Sequence, residues 1–149
     1  MNGLTISEKV EMLSRRRARA LPTLAVIFLA QQASYFNMPE QSDRTVDHVK
    51  IGAWLLLSVA LLAGLGTGGA WFRPREIREL VNDESTRAHR QAGLVYGFWA
   101  AMAAAITLYV VNMFELVSGR DAIHVIVSAG IAVAMIRFGM LERRALKDG

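Results

Sequence analysis

The charged residues of this chain fall in four clusters, and the stretches between the clusters are almost free of charge. Each apolar stretch is close to the ~20 residues that an α-helix needs to cross about 30 Å of hydrocarbon at 1.5 Å per residue. Of the 149 residues, 53% are hydrophobic, which is high for a soluble domain. The pattern therefore predicts an all-α integral membrane protein, a bundle of four helices that each span the bilayer.

The chain divides into an N-terminal segment and one membrane domain. The membrane domain covers residues 21–149 and contains a cytoplasmic loop at 73–91, which separates two pairs of spans. Acidic and basic residues nearly balance in this loop, so it is expected to be solvated. The four spans are predicted at about 21–37, 49–72, 92–117 and 123–141.

Residues 1–20 are predicted to form an amphipathic helix at the membrane interface. Ile6, Val10 and Leu13 recur at helical spacing, and a run of arginines follows them. The alternative is a cytoplasmic tail whose arginines only stop translocation. We expect no cleaved secretory signal, because charged residues occur throughout this segment.

Lysine and arginine set the predicted orientation. Fourteen of the seventeen lie in the N-terminal segment, in the 73–91 loop or near the C-terminus, and only Arg44, Lys50 and Arg120 lie on the other side. Because segments rich in these residues stay inside, both termini are expected in the cytoplasm, with the protein in a bacterial inner membrane. The basic residues flank apolar spans, so they indicate membrane topology and not nucleic-acid binding.

The chain contains no cysteine, which excludes disulfides, thiolate metal sites and iron–sulfur clusters. No glycine-rich phosphate loop follows a strand pattern, and no nucleophile–base motif is present. The sequence therefore favours a protein that is not an enzyme, while leaving the question open.

A short internal repeat relates the two halves of the chain. The motif Asn-Met-x-Glu, with Arg and His downstream, occurs twice, 75 residues apart, at the outer turn of each pair of spans. Such a repeat predicts two parallel helical hairpins related by an axis along the membrane normal. Equivalent residues would then lie near each other on the outer side. The equivalent pairs are Asn37 and Asn112, Glu40 and Glu115, Arg44 and Arg120, and His48 and His124.

Two of the three histidines are candidate metal ligands. His48 and His124 begin the helices that return from the outer side, and neutral imidazole suits a metal ion or a haem. The alternative is that each caps a helix end and hydrogen-bonds its neighbours. Neither lies in the middle of a span, which disfavours haem. No cofactor is expected on balance. The third histidine, His89, lies between two arginines and is expected to be exposed.

Polar residues near the outer side are candidates for a ligand site or an ion path. Glu115 lies near the outer end of the third span, where desolvation makes its ionisation depend on a partner. The alternative is an interfacial carboxylate paired with an arginine. The amides and hydroxyls either line a polar cleft or hydrogen-bond between helices. The full set is Gln31, Gln32, Asn37, Glu40, Arg44, Thr107, Tyr109, Asn112, Glu115 and Arg120.

Small residues recur at every fourth position in three of the spans, and such stripes let helices pack closely in lipid. Two stripes are expected to be used inside the four-helix unit, and one is expected to remain for self-association. The tryptophans, Trp54 included, are interpreted as anchors near the membrane interface. The stripes comprise Ala60, Gly64 and Gly68 in the second span, Gly93, Gly97, Ala101 and Ala105 in the third, and Gly130 and Ala134 in the fourth.

The segment 82–90, Asn-Asp-Glu-Ser-Thr-Arg-Ala-His-Arg, leads into the aromatic helix start at 96–99. Together with the ending Arg-Phe-Gly-Met-Leu-Glu-Arg-Arg at 137–144, it resembles a class of small uncharacterised bacterial inner-membrane proteins. This resemblance implies a four-helix membrane protein. It implies no activity and assigns no functional residue.

The leading hypothesis for function is a non-enzymatic membrane module, either an accessory subunit or a self-associating binding protein. Its partners would be the lipid bilayer and either copies of itself or other membrane subunits. One alternative is a small oligomeric transporter or channel with Glu115 and Asn112 in its polar path. A second alternative is a haem- or metal-binding redox protein that uses His48 and His124.

Overall fold

The structure is a computed structural model, and it describes residues 6–36, 44–68 and 84–148. Within these ranges the chain is all-helical and contains no strand. The repeat residues Asn37 and Glu40 lie outside the described residues, and so does most of the predicted 73–91 loop. The helices are α1 (Ile6–Phe36), α2 (Arg44–Thr67), α3 (Glu84–Val111) and α4 (Gly119–Asp148).

Three of these helices are long and apolar enough to cross a membrane, namely α2, α3 and α4. Large apolar side chains on them are exposed, including Leu56 on α2 and Trp99 on α3. Exposed apolar surface on this scale is unusual for a soluble monomer but normal for a helix that faces lipid. The segment of α1 described by the structure has a lower hydropathy, because its apolar stretch lies between arginines on one side and glutamines on the other.

One continuous helix of 31 residues, α1, contains both the segment predicted as an interfacial helix and the predicted first span. The helix passes through residue 20 without a break, and Pro22 lies inside it. At 1.5 Å per residue this helix is about 46 Å long, which exceeds the ~30 Å thickness of the hydrocarbon. A membrane position for α1 therefore leaves its arginine-rich first turns beyond the hydrocarbon.

The core of the molecule surrounds α4, which packs against each of the other three helices. Phe138 and Met135 of α4 are almost fully buried, as is Phe28 of α1. The packing of α2 is looser, since it contacts α4 over a short stretch and α3 over a shorter one. The core cluster consists of Ala25, Phe28, Leu65, Ile131, Ala134, Met135 and Phe138.

Glycines bring α3 and α4 close together. A Cβ placed on Gly97 would lie 2.6 Å from the carbonyl oxygen of Gly130, and one placed on Gly93 would lie 2.9 Å from that of Ala134. Backbones can approach this closely only where a side chain is missing. The small-residue stripes of the predicted third and fourth spans are therefore used inside the unit.

A different glycine lies where α1 crosses α4. A Cβ on Gly139 would lie 2.6 Å from Cδ of Pro22, so the proline ring occupies the space beside the glycine. This contact sets Pro22 against α4 within a helix that the proline does not interrupt.

Candidate functional sites

Two groups of buried polar side chains connect α4 to its neighbours. We call the end of the bundle that contains Arg17 and Glu142 the basal end, and the end that contains Gln32 and His124 the apical end. The basal cluster consists of Arg17 from α1, Thr86 and His89 from α3, and Glu142 from α4. The apical cluster consists of Gln32 from α1, Trp54 from α2 and His124 from α4.

Glu142 is the acceptor at the centre of the basal cluster. Its Oε2 accepts hydrogen bonds from the Nε and Nη2 of Arg17, the first at 3.0 Å. Its Oε1 lies 3.1 Å from Nδ1 of His89 and 3.4 Å from Oγ1 of Thr86. Arg17 also donates to the Thr86 hydroxyl at 2.9 Å. One carboxylate thus holds three helices together.

The local sequence explains how these groups meet. Thr86 and His89 are three residues apart on α3, which places them on one helix face. The guanidinium of Arg17 also lies 5.6 Å from the centre of the Phe138 ring, one turn before Glu142 on α4. The Glu142 carboxylate faces the Arg17 guanidinium with both side chains largely buried, so the two form a structural ion pair.

The apical cluster is centred on His124, which is only 5% exposed. Gln32 donates from Nε2 to the carbonyl oxygen of Phe28 at 3.1 Å, so its Oε1 points towards His124. Because Oε1 can only accept, Nε2 of His124 is the donor in the bond between them. The ring of Trp54 stacks on the imidazole, with 4.3 Å between centroids and an angle of 19°.

Polar atoms without a partner continue from the apical cluster along α2 and α4. Ser58 lies one turn after Trp54, and Ser128 lies one turn after His124, on the same helix faces. Both hydroxyls and the indole N–H of Trp54 are buried and have no hydrogen-bond partner among the described residues. A buried donor of this kind costs free energy unless water or a ligand satisfies it.

The two histidines proposed as metal ligands have different surroundings. His48 is exposed, whereas His124 is buried against Trp54 and Gln32. His48 precedes Trp54 by six residues on α2, which is about 9 Å along the helix axis. The structure therefore places Trp54, and not His48, against His124. In the part of the chain that is described, no group of three or more histidines and acids is placed to hold a metal ion.

The other candidate residues are distributed over separate surfaces. Gln32 is buried in the apical cluster, whereas its neighbour Gln31 is exposed. On α3, Thr107 donates to the carbonyl oxygen of Ala103 in its own helix at 2.9 Å, and Tyr109 is 74% exposed. These residues do not share a cleft with Gln32.

Three of the remaining candidates, Asn112, Glu115 and Arg120, lie in or just after the turn between α3 and α4. Asn112 accepts a hydrogen bond from the backbone N–H of Val117 at 3.0 Å, so its side chain stabilises the turn. Glu115 and Arg120 are both exposed. For Arg44 the structure describes the backbone position at the start of α2 but not the side chain.

The basal cluster is the feature that the sequence analysis missed. His89, expected to be exposed, is instead only 22% exposed and contacts Glu142. Arg17 and Glu142 each lie in an arginine-rich segment just beyond a predicted span, where charged residues are ordinary. The one available signal was the spacing of Thr86 and His89 on a single face of α3.

Comparison of the chain with family models, with curated proteins and with solved structures gives no match. The roles of these residues are therefore inferred from their own chemistry and geometry.

Proposed function

We propose that this chain is a non-enzymatic module of a bacterial inner membrane that acts by self-association through α2. The observation that carries the proposal is the empty space beside the glycines of α2. A Cβ added to Gly52, Gly64 or Gly66 would meet nothing within 4 Å. Gly93 and Gly97 of α3 and Gly130 of α4, by contrast, face backbone atoms of the opposite helix. These three glycines of α2 are thus open for packing against another helix.

The environment of α2 supports this role. In lipid there is no hydrophobic gain when two helices meet, so close backbone approach and dispersion provide the attraction. Gly52 and Gly66 lie on the same face of α2 as Leu56 and Val59, which are 73% and 63% exposed. These side chains would flank a close crossing of two α2 helices. A second copy of the chain supplies the same face, which suits a symmetric dimer.

The basal end is proposed to lie in the cytoplasm. It contains the arginines of α1 and the basic residues at the end of α4, whereas the apical turns contain few basic residues. The lipid bilayer and other copies of the chain are then its partners. A different membrane subunit that presents a small-residue helix would bind through the same face of α2.

The experiment compares two substitutions of small residues on exposed helix faces. Gly52→Ile places a branched side chain in the proposed α2 contact, and Ala103→Ile puts the same side chain on exposed α3. The oligomeric state is measured by native mass spectrometry from a mild detergent and by cross-linking in nanodiscs. We expect a dimer for the parent protein and for Ala103→Ile, and a monomer for Gly52→Ile.

Two results would contradict the proposal. One is a parent protein that is strictly monomeric and without a co-purifying partner in both environments. The other is an equal loss of the oligomer in both variants, since that would place the contact elsewhere than on α2.

A further inference from the structure

A groove between α1 and α4 at the basal end is lined by four cationic side chains. Its volume is about 520 Å³. Among the residues that the structure describes, no carboxylate lines it. Its walls are formed by Arg15, Ala18 and Arg19 of α1 and by Arg143, Leu146 and Lys147 of α4.

The packing of the two helices creates this groove. Arg15 and Arg19 are four residues apart on α1, and Arg143 and Lys147 are four residues apart on α4, so each pair shares a helix face. The crossing is held by the bond from Nε of Arg143 to the carbonyl oxygen of Ala18, at 2.9 Å. The buried Arg17–Glu142 pair, one residue away on each helix, holds it from the inside. The two cationic pairs therefore line the same groove.

These charges are only partly neutralised. Arg15 pairs with Glu11 at 2.7 Å, but both side chains are more than half exposed, and such pairs contribute little. Arg19 and Lys147 have no ion-pair partner in the described ranges. Like charges four residues apart repel each other. An anion in the groove would relieve this repulsion from both helices.

We propose that this groove binds a phosphate group, with the headgroup of an anionic phospholipid as its source. Arginine binds phosphate oxygens through its planar fork, and lysine adds a point charge. The groove lies where α1 and α4 leave the predicted spans, so a bilayer around those spans would place lipid headgroups beside it, and Leu146 and Ala18 give it an apolar wall. Basic pockets between membrane helices recognise phospholipid headgroups in this way. The inference does not depend on self-association through α2.

The test uses the full chain in a mild detergent with an equimolar mixture of phosphatidylglycerol and phosphatidylcholine. Native mass spectrometry measures the fraction of protein that retains each lipid. The variant Arg19→Gln with Lys147→Gln removes two groove charges and leaves Arg143, which the α1–α4 crossing needs. We expect the affinity for phosphatidylglycerol to fall by roughly 30-fold, at about 1 kcal/mol for each of the two charges removed. Phosphatidylcholine retention is expected to stay unchanged.

Two further variants distinguish lipid binding in the groove from a general effect of the protein's net charge. Arg87→Gln with Arg120→Gln makes the same change in net charge at exposed positions outside the groove, and should retain phosphatidylglycerol like the parent. Arg19→Lys with Lys147→Arg keeps both charges and should also retain it, and loss of phosphatidylglycerol from this charge-conserving variant would contradict the proposal. Equal loss in the groove variant and the outside variant would overturn the proposal, as would no preference for the anionic lipid in the parent protein.

The source of the phosphate is distinguished by competition. Inorganic phosphate added to the same mixture should not displace phosphatidylglycerol, if the headgroup and its glycerol together fill the groove. Displacement by inorganic phosphate at low concentration, together with loss in the groove variant, would assign the site to a soluble phosphate in place of a lipid.

Discussion

Arg17 and Glu142 lie 125 residues apart in the chain and form an ion pair whose side chains are only 12% and 6% exposed. The pair joins the first turns of α1 to the last turns of α4. It is also the centre of the contacts from Thr86 and His89 on α3. The basal end of the bundle therefore depends on one carboxylate.

Replacing this carboxylate should destabilise the bundle strongly. In Glu142→Gln, the buried Arg17 guanidinium loses the charge of Glu142, and breaking a buried pair in this way costs about 3–5 kcal/mol. Thermal unfolding of the purified protein in one fixed detergent measures the effect. Glu115→Gln is the matched control, because Glu115 is exposed, and should unfold like the parent. Equal melting of the two variants would show that the basal pair contributes nothing.

The second half of this test removes both charges. Arg17→Met with Glu142→Leu replaces the pair by apolar side chains, a change that is often neutral in proteins. We expect the double variant to be more stable than Glu142→Leu alone. Simple additivity of the two single effects would argue against a direct interaction between the side chains.

The glycines should respond to alanine in opposite ways on different helices. A Cβ on Gly97 would lie 2.6 Å from the Gly130 carbonyl oxygen and 2.7 Å from Cβ of Ala134, so Gly97→Ala must push α3 from α4. We expect a loss of about 1–3 kcal/mol in the free energy of unfolding. Gly64→Ala meets no atom within 4 Å and should leave the stability of the monomer unchanged or slightly higher. An unchanged stability for Gly97→Ala would mean that α3 and α4 do not approach this closely.

The two histidines should differ in the same assay. His124→Ala removes the donor to Gln32 and the ring that stacks on Trp54, and it leaves a space among buried groups. The expected cost is about 2–4 kcal/mol, since an acceptor loses its partner and packing is lost. His48→Ala changes an exposed side chain and should cost little. Tryptophan fluorescence gives a second readout, because Trp54 would change its environment only in His124→Ala.

Substitution of Ser128 should raise the stability of the protein, or leave it unchanged, where the preceding substitutions lower it. Its buried hydroxyl has no hydrogen-bond partner among the described residues, so Ser128→Ala removes a polar group whose burial is unfavourable. The variant should be as stable as the parent or more stable by about 1 kcal/mol. A clear loss of stability would indicate that the hydroxyl binds a water molecule or a ligand between α2 and α4.

The sequence was sufficient to predict the helices that consist of long apolar runs. The predicted second, third and fourth spans overlap α2, α3 and α4, because apolar length is a strong local signal. Gln31 and Gln32 were both expected to line a polar cleft or to hydrogen-bond between helices; Gln32 is buried and bonds to His124, whereas Gln31 is exposed. The sequence marked three stripes of small residues, but only the packing shows that those of α3 and α4 meet each other, whereas a Cβ on Gly64 of α2 would meet nothing within 4 Å.

Other features depend on contacts between distant parts of the chain, which a single sequence does not contain. The Arg17–Glu142 pair is one example, because each residue alone looks like an ordinary flanking charge. The partner of His124 is another, since the internal repeat pointed to His48 while the helix packing supplies Trp54. The length of α1 is a third, because a proline and an arginine run suggested a boundary where the helix continues.

The position of α4 has a consequence for biosynthesis. It is the last of the four described helices in chain order, yet it is the helix against which the other three pack. During translation, α1 and α3 leave the ribosome before the surface that covers their buried faces exists. Arg17 in particular emerges long before Glu142, so the ion pair between them cannot form until α4 is made. Assembly of this bundle therefore begins only when synthesis of α4 is nearly complete, and chains stalled earlier should be targets for membrane quality control.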